Sequence, residues 1–95
     1  MSAYLIAQIN VENLENYKKY IEQVTPLAQK FKGEYIVRSG NYSIVQGQWP
    51  FQRNVIIKFP SYKIALNFFN SEEYKPIKKI RENNSSGNII IIEGS

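Results

Sequence analysis

The chain has 95 residues, a net charge of +4 and 43% hydrophobic residues, a composition typical of one globular domain with a modest core. It contains no Cys, His or Asp, and all eight acidic residues are Glu. These absences exclude disulfides, a Cys- or His-based nucleophile and the usual metal ligands. We therefore expect no metal site, and the lack of a phosphate-cradling glycine-rich loop predicts no cofactor.

The basic charge has two interpretations. It could bind nucleic acid, or it could come from a solvated helix face carrying Lys18, Lys19, Lys30 and Lys32. The second interpretation is favoured, because no nucleic-acid-binding motif occurs. The first ten residues lack the basic start of a signal peptide, and no apolar stretch approaches the roughly 20 residues of a membrane span. We expect a cytoplasmic protein without nucleic-acid or membrane partners.

In chain order, residues 4–9 predict a strand whose side chains are largely apolar on both faces. Asn13 is a candidate N-cap for an amphipathic helix that ends before Gly33, the expected C′ residue. The buried stripe of this helix recurs at three- and four-residue steps and comprises Leu14, Tyr17, Ile21, Val24, Ala28 and Phe31.

The next segment predicts strands over residues 34–38 and 42–46, on either side of the triplet Ser39-Gly40-Asn41. This triplet could form a hairpin turn between two strands, or a bulge that bends one long strand. We favour one kinked strand over residues 34–46. A Trp-Pro turn over residues 48–52 and a strand over residues 53–59 follow.

Ser61 is expected to cap a second helix whose buried stripe comprises Tyr62, Ala65, Leu66 and Phe69. Asn70-Ser71 should break it, and Pro76 indicates a short turn followed by a further helical segment through Arg81. Residues 83–87 have the composition of a loop. The last strand covers the four isoleucines at 89–92.

Four consecutive isoleucines predict a strand that must be covered on both faces. The predicted helices suffice to cover only one side of the sheet, so we infer a homodimer in which sheet faces sheet. The element order βαββαβ is that of an α+β, ferredoxin-like fold with an antiparallel sheet.

The sequence resembles the domain-of-unknown-function family 1330, within the dimeric α+β barrel superfamily. The resemblance covers nearly the whole chain and is carried by YLIAQI, NLENYKKY, GEYIVRSG, VQGQWPFQRNVIIKFPS, NSEEY and the closing IIIIEG. It implies a homodimer of ferredoxin-like subunits and implies no activity. Superfamily members include small monooxygenases and isomerases that hold organic substrates between helices and sheet, which is an analogy of fold alone.

The family's recurrent polar and aromatic positions fall on Tyr17, Tyr20, Arg38, Trp49, Arg53, Tyr74 and Arg81. The chain departs from the family at Gln46, where an acid is usual, at Asn13, where Asp is usual, and at Lys32-Gly33, where two glycines are usual. A proton transfer that needs a carboxylate at position 46 would not be available to this chain.

Arg38 and Arg53 are the strongest candidates for ligand binding. Two guanidinium groups could form a fork for a carboxylate or phosphate. Alternatively, each could pair with a glutamate such as Glu34 or Glu93, or with backbone carbonyls at the dimer interface. Trp49 could wall a pocket or fill a packing position. The candidate ligand-binding set is Arg38, Gln46, Trp49, Arg53, Tyr20, Tyr74 and Arg81.

Three functions follow from these patterns. The chain could bind a small anionic organic molecule in a cleft between sheet and helices. It could be a cofactor-free enzyme acting on a small organic acid or ketone, with a tyrosine that transfers a proton. It could also be a dimerising structural protein, in which case the arginines should be paired with glutamates.

Overall fold

The computed structural model describes residues 1–95. Its elements in chain order are β1 (Ala3–Val11), α1 (Leu14–Lys30), β2 (Glu34–Arg38), β3 (Arg53–Phe59), α2 (Tyr62–Phe69), α3 (Tyr74–Asn84) and β4 (Ser85–Glu93). The predicted α+β class and the βαββαβ order are confirmed, with the second helical region divided into α2 and α3. No helix is both long and apolar enough to cross a membrane.

The four strands form one antiparallel sheet in the order β2-β3-β1-β4. Alternate residues of the central strands point to the helices, among them Leu5 and Ile9 of β1 and Val55 and Ile57 of β3. With the helical residues Tyr17, Val24, Phe68 and Tyr74 they belong to one core cluster of 15 buried residues. All helices therefore serve one face of the sheet.

Residues 39–52 form neither the kinked strand nor the hairpin considered from the sequence. β2 ends at Arg38, and Tyr42–Gln46 is irregular and exposed. The predicted bulge exists but lies earlier, between Tyr35 and Val37 in the pairing with β3. Residues 42–46 have no strand beside them in this chain, and strand propensity without a pairing partner does not produce a strand.

The C-terminus of α1 differs from the prediction by one residue. Lys32, not Gly33, occupies the left-handed position, with φ of 66°. The amides of Gly33 and Lys32 donate to the carbonyls of Ala28 and Gln29 at 2.8 and 2.9 Å, the pattern of a Schellman motif. The predicted N-cap is confirmed, since the Asn13 side chain accepts from the Asn16 amide.

Two predicted helix faces require correction. Leu14 is 59% exposed and does not belong to the buried stripe of α1. In α2, Ala65 and Phe68 are buried while Tyr62 is exposed, so the core-facing stripe is rotated from the predicted one. Ser61 caps this helix as predicted, accepting from the Ile64 amide.

The predicted loop at residues 83–87 is absent, because α3 continues to Asn84 and β4 begins at Ser85. Polar side chains bond the last backbone carbonyls of α3. The Asn84 side-chain amide donates to the Ile80 carbonyl, and the Ser85 hydroxyl donates to the Arg81 carbonyl. The short turn predicted before Pro76 is confirmed at Glu72 and Glu73, and α3 follows it directly, with Pro76 in its first turn. The composition that indicated a loop instead makes a direct helix-to-strand junction.

Candidate functional site

A cavity of about 40 Å³ lies between the sheet and the helices. Its walls are formed mainly by apolar core residues of β1, β3 and α1. The side chains with polar groups that line it are Tyr17, Tyr20, Tyr35, Arg38, Arg53, Tyr74 and Arg81. The cavity therefore contains every arginine of the chain.

Each arginine reaches the cavity from a different element. Arg53 begins β3 and shares the core-facing side of this strand with Val55 and Ile57. Arg38 ends β2, where the bulge returns it to the core-facing side opposite Val55. Arg81 lies seven residues after Tyr74 in α3, which places both on one face of that helix.

Two arginines stack against tyrosines that line the same cavity. The guanidinium carbon of Arg38 lies 4.3 Å from the centre of the Tyr35 ring, and its Nη2 donates to the Thr25 hydroxyl at 2.6 Å. The guanidinium carbon of Arg53 lies 5.6 Å from the Tyr17 ring centre. Such cation–π contacts hold a guanidinium in place without neutralising its charge.

The positive charge of the cavity has no acidic partner within the chain. No glutamate lines it, and both ion pairs of the protein, Lys30–Glu73 and Lys75–Glu72, lie at the surface and involve no arginine. The Nε atoms of Arg53 and Arg81 are buried and have no hydrogen-bond partner in the protein. Within this chain, therefore, no arginine forms an ion pair with a glutamate.

Tyrosine hydroxyls supply the remaining polar groups. The hydroxyl oxygens of Tyr20 and Tyr74 lie 2.9 Å apart, and the Tyr20 ring also packs against Tyr17, with ring centres 5.3 Å apart. Burial, and then the neighbouring Tyr74, raise the pKa of Tyr20 well above its usual value. Burial also raises the pKa of Tyr17, and the neighbouring Arg53 partly offsets this rise. Burial likewise raises the pKa of Tyr35, and Thr25 and Arg38 partly offset that rise.

The charge of Arg81 is likewise secured. Burial lowers its pKa, but the neighbouring Tyr74 and Tyr20 raise it by more, so that the pKa ends above its ordinary value. At neutral pH the cavity thus contains three guanidinium cations and neutral phenols, all of which can donate hydrogen bonds. The arrangement suits an anion that accepts several hydrogen bonds.

Two of the predicted site residues lie elsewhere. Gln46 and Trp49 line a groove of about 450 Å³ between residues 40–46 and the sheet face that carries no helix. The Trp49 indole donates to the Asn54 side chain at 2.8 Å. The structure brings five of the seven candidate residues together in the cavity: Arg38, Arg53, Tyr20, Tyr74 and Arg81. Gln46 and Trp49 do not line it.

Sequence reasoning missed Tyr35 and Thr25 as members of this site. Tyr35 lies in the predicted strand of residues 34–38, close to Arg38, which was a usable signal; in the structure it pairs with Ile57. Simple alternation, however, would place Tyr35 and Arg38 on opposite faces, and only the bulge puts both on the core side. Thr25 gave no signal, because its role depends on where the Arg38 side chain reaches.

The fold defines a class of protein: an α+β chain of ferredoxin-like element order with one four-stranded antiparallel sheet. The family model of the domain of unknown function DUF1330 matches residues 2–95. The chain belongs to that family, as the sequence resemblance predicted. No curated protein matches the sequence.

Solved structures agree on the fold. A protein of unknown function from Rhodopseudomonas palustris superposes with a TM-score of 0.76 at 13% identity, over 99% of this chain and 82% of that one. A cofactor-independent oxygenase from Streptomyces nogalater gives 0.69 at 6% identity, over 99% and 93%. A putative antibiotic biosynthesis monooxygenase from Bacteroides thetaiotaomicron gives 0.64 at 12%, over 99% and 88%. At these identities the likeness concerns the fold alone.

Proposed function

We propose that this protein binds a small organic anion in the cavity lined by Arg38, Arg53 and Arg81, which we call the arginine cavity. The observation that carries the proposal is the convergence of Arg38, Arg53 and Arg81 on one partly buried cavity without an acidic residue. Arg53 and Arg81 are partly buried, and a bound carboxylate or phosphate would supply both opposite charge and hydrogen-bond acceptors to them. Guanidinium groups are suited to both anions, because their donors match the spacing of the oxygens.

The two unpaired Nε donors indicate where the anion would bind. A buried donor without an acceptor costs about 1–3 kcal/mol, and Arg53 and Arg81 each contain one. An oxygen acceptor within the cavity would satisfy both. The Nη2 of Arg38 is already bonded to Thr25, so this arginine would contribute mainly charge.

The proposal is tested by titrating the protein with acetate and with inorganic phosphate while recording the Nε–Hε signals of its arginines by NMR. We expect saturable shifts at Arg53 and Arg81 with at least one of these anions. Arg81→Gln should abolish the shift of the Arg53 signal. Lys79→Gln removes an exposed charge from the same helix and should leave the shifts of both arginines intact. Signals that do not move with either anion would refute the proposal.

One observation favours catalysis as a second candidate function. The paired hydroxyls of Tyr20 and Tyr74 could donate to an oxyanion that develops on a bound acid or ketone. One structural neighbour is described as a cofactor-independent oxygenase. However, no residue lining the cavity is a general base near neutral pH, so binding is better supported than proton abstraction.

The catalytic alternative makes a separate prediction. A keto acid such as pyruvate, incubated in D₂O, should exchange the protons beside its carbonyl faster with the protein than without it. The acceleration should be lost in Tyr20→Phe and in Tyr74→Phe. Exchange that is independent of the protein would leave anion binding as the sole proposed function.

We also propose that a second copy of the chain covers the sheet face opposite the helices. That face carries Tyr4, Ile6 and Ile56, together with Ile90 and Ile92, which are 53% and 48% exposed. Aliphatic side chains on adjacent strands form a continuous apolar surface of the kind that interfaces bury. Native mass spectrometry of the purified protein reports both this assembly and any retained anion.

A further inference from the structure

An open groove of about 540 Å³ adjoins the arginine cavity at the end of the sheet. Ile9 and Arg53 line both spaces. The groove is otherwise formed where β1 and β2 end and β3 begins, by Asn10, Val11, Ser39 and Gln52. Unlike the cavity, it is predominantly polar.

The inner cavity is too small to enclose a whole metabolite. Its volume of about 40 Å³ corresponds to about three water molecules, which is the size of a carboxylate group. A bound organic acid would therefore place its carboxylate among the arginines and extend the rest of its skeleton outside. Because Arg53 and Ile9 belong to both spaces, the polar groove is where that skeleton would lie.

The groove presents polar groups that are free to bind a ligand. The Ser39 hydroxyl and the Gln52 side-chain amide make no hydrogen bond within the protein, whereas their backbone amides are bonded to the Asn54 carbonyl at 2.7 Å and the Asn10 side chain at 3.0 Å. The Asn10 amide also donates to the Pro50 carbonyl. The backbone of the groove is thus fixed while two side chains remain available.

We infer that the ligand is a short hydroxylated monocarboxylic acid, with its carboxylate in the arginine cavity and its hydroxyl groups in the groove formed by Ser39 and Gln52. This inference rests on the anion-binding function proposed above and adds the chemistry of the ligand's tail. Hydroxyl groups can both donate and accept, which matches the serine hydroxyl and the glutamine amide. An aliphatic tail would displace water from these exposed side chains without offering them a hydrogen bond.

Three probes separate the carboxylate from the tail. Acetate supplies the carboxylate alone. Glycerate and pentanoate have the same charge and the same number of non-hydrogen atoms, but only glycerate has hydroxyl groups. Isothermal titration calorimetry should show glycerate binding about tenfold more tightly than pentanoate, the expected effect of one or two well-made hydrogen bonds. Gln52→Ala should weaken glycerate about fivefold and leave acetate unchanged.

Gln48→Ala is the matched control, because Gln48 is an exposed glutamine of the same connecting segment that lines neither space. It should change no affinity. Pentanoate binding as tightly as glycerate, or glycerate binding that does not respond to Gln52→Ala, would overturn the inference while acetate binding preserved the proposed function. Failure of all three acids to bind the wild-type protein would overturn the inference, and failure of inorganic phosphate to bind as well would overturn the proposed function.

Discussion

The hydroxyl oxygens of Tyr20 in α1 and Tyr74 in α3 lie 2.9 Å apart at the wall of the arginine cavity. This hydrogen bond links the two helices across a residue separation of 54. Tyr74 is fully buried in the aromatic core, against Phe68 and Phe69, so its position is fixed by packing. The bond therefore sets the position of the Tyr20 hydroxyl within the cavity.

The raised pKa of Tyr20 predicts loss of stability at alkaline pH. Above the ordinary tyrosine pKa of about 10, the unfolded chain releases a proton that the folded chain keeps. The folded state then binds more protons, so its stability is complete below pH of about 10 and falls as the pH rises through the folded value. Urea denaturation between about pH 8 and pH 11 should show this decline.

Tyr20→Phe should lower the free energy of unfolding by about 1 kcal/mol near pH 8, because the Tyr74 hydroxyl loses its partner. The same variant should show a shallower decline above about pH 10, because one group with a raised pKa has been removed. A wild-type stability that stays constant across this range would contradict the assignment.

The cluster of arginines predicts a conflict between stability and binding. Arg81→Met keeps a long side chain against the apolar wall and removes one of three cations with no acidic partner. In buffer free of carboxylate and phosphate, we expect the free energy of unfolding to rise by about 1 kcal/mol, because the unpartnered Nε–H donor of Arg81 is no longer buried. Added acetate should stabilise the wild-type protein but not this variant.

Lys79→Met provides the control for Arg81→Met, because it removes an exposed cation from the same helix. It should change the free energy of unfolding by less than about 0.5 kcal/mol and retain the response to acetate. If Arg81→Met is instead markedly less stable than the wild type in every buffer, Arg81 serves the fold and not a ligand.

The left-handed residue at the end of α1 gives a prediction independent of any ligand. Lys32 has φ of 66°, a conformation that costs a residue with a Cβ atom about 1–2 kcal/mol. Lys32→Gly should therefore stabilise the protein by about 0.5–1 kcal/mol after the greater flexibility of unfolded glycine is subtracted. Thermal and urea denaturation measure the change.

Gly33→Ala is the opposite test at the adjacent position. A Cβ atom there would lie 2.9 Å from both the Ala28 carbonyl oxygen and the Phe59 ring. The crowding should lower the free energy of unfolding by about 1–3 kcal/mol. Equal effects of the two substitutions would show that neither the backbone angle nor the close approach decides stability here.

The parts of the fold that depend on local chemistry were predictable from the sequence. The bounds of β3, Arg53–Phe59, and the caps Asn13 and Ser61 follow from alternation and from side chains that bond amides three residues on. Residues 42–46 were mispredicted, because strand formation needs a neighbouring strand that local sequence does not specify.

The site was predictable only in part, for the same reason. Arg38 and Arg53 flank one connection, and their neighbourhood could be inferred from the strands that they end and begin. Arg81 was a candidate by family resemblance alone, because its approach depends on how α3 packs against α1. The absence of glutamates from the cavity is a property of the three-dimensional arrangement, and no spacing in the sequence indicates it.

The uncovered sheet face predicts a dimer that a single substitution should dissociate. Ile90 is 53% exposed and pairs with Ile6 in the middle of that face. In a symmetric dimer, Ile90→Lys introduces its charge twice into one apolar interface, where desolvation of an unpaired ammonium is costly. Light scattering after size-exclusion chromatography should give twice 11.1 kDa for the wild type and 11.1 kDa for the variant.

Leu14→Lys is the matched control for this prediction. Leu14 is exposed to a similar extent, at 59%, but lies at the start of α1 on the helical side of the sheet. The same aliphatic-to-lysine change there should leave the dimer intact, so that a general effect of added charge is separated from an effect on the interface. A wild-type protein of 11.1 kDa at micromolar concentration would mean that a second copy does not cover the sheet face opposite the helices.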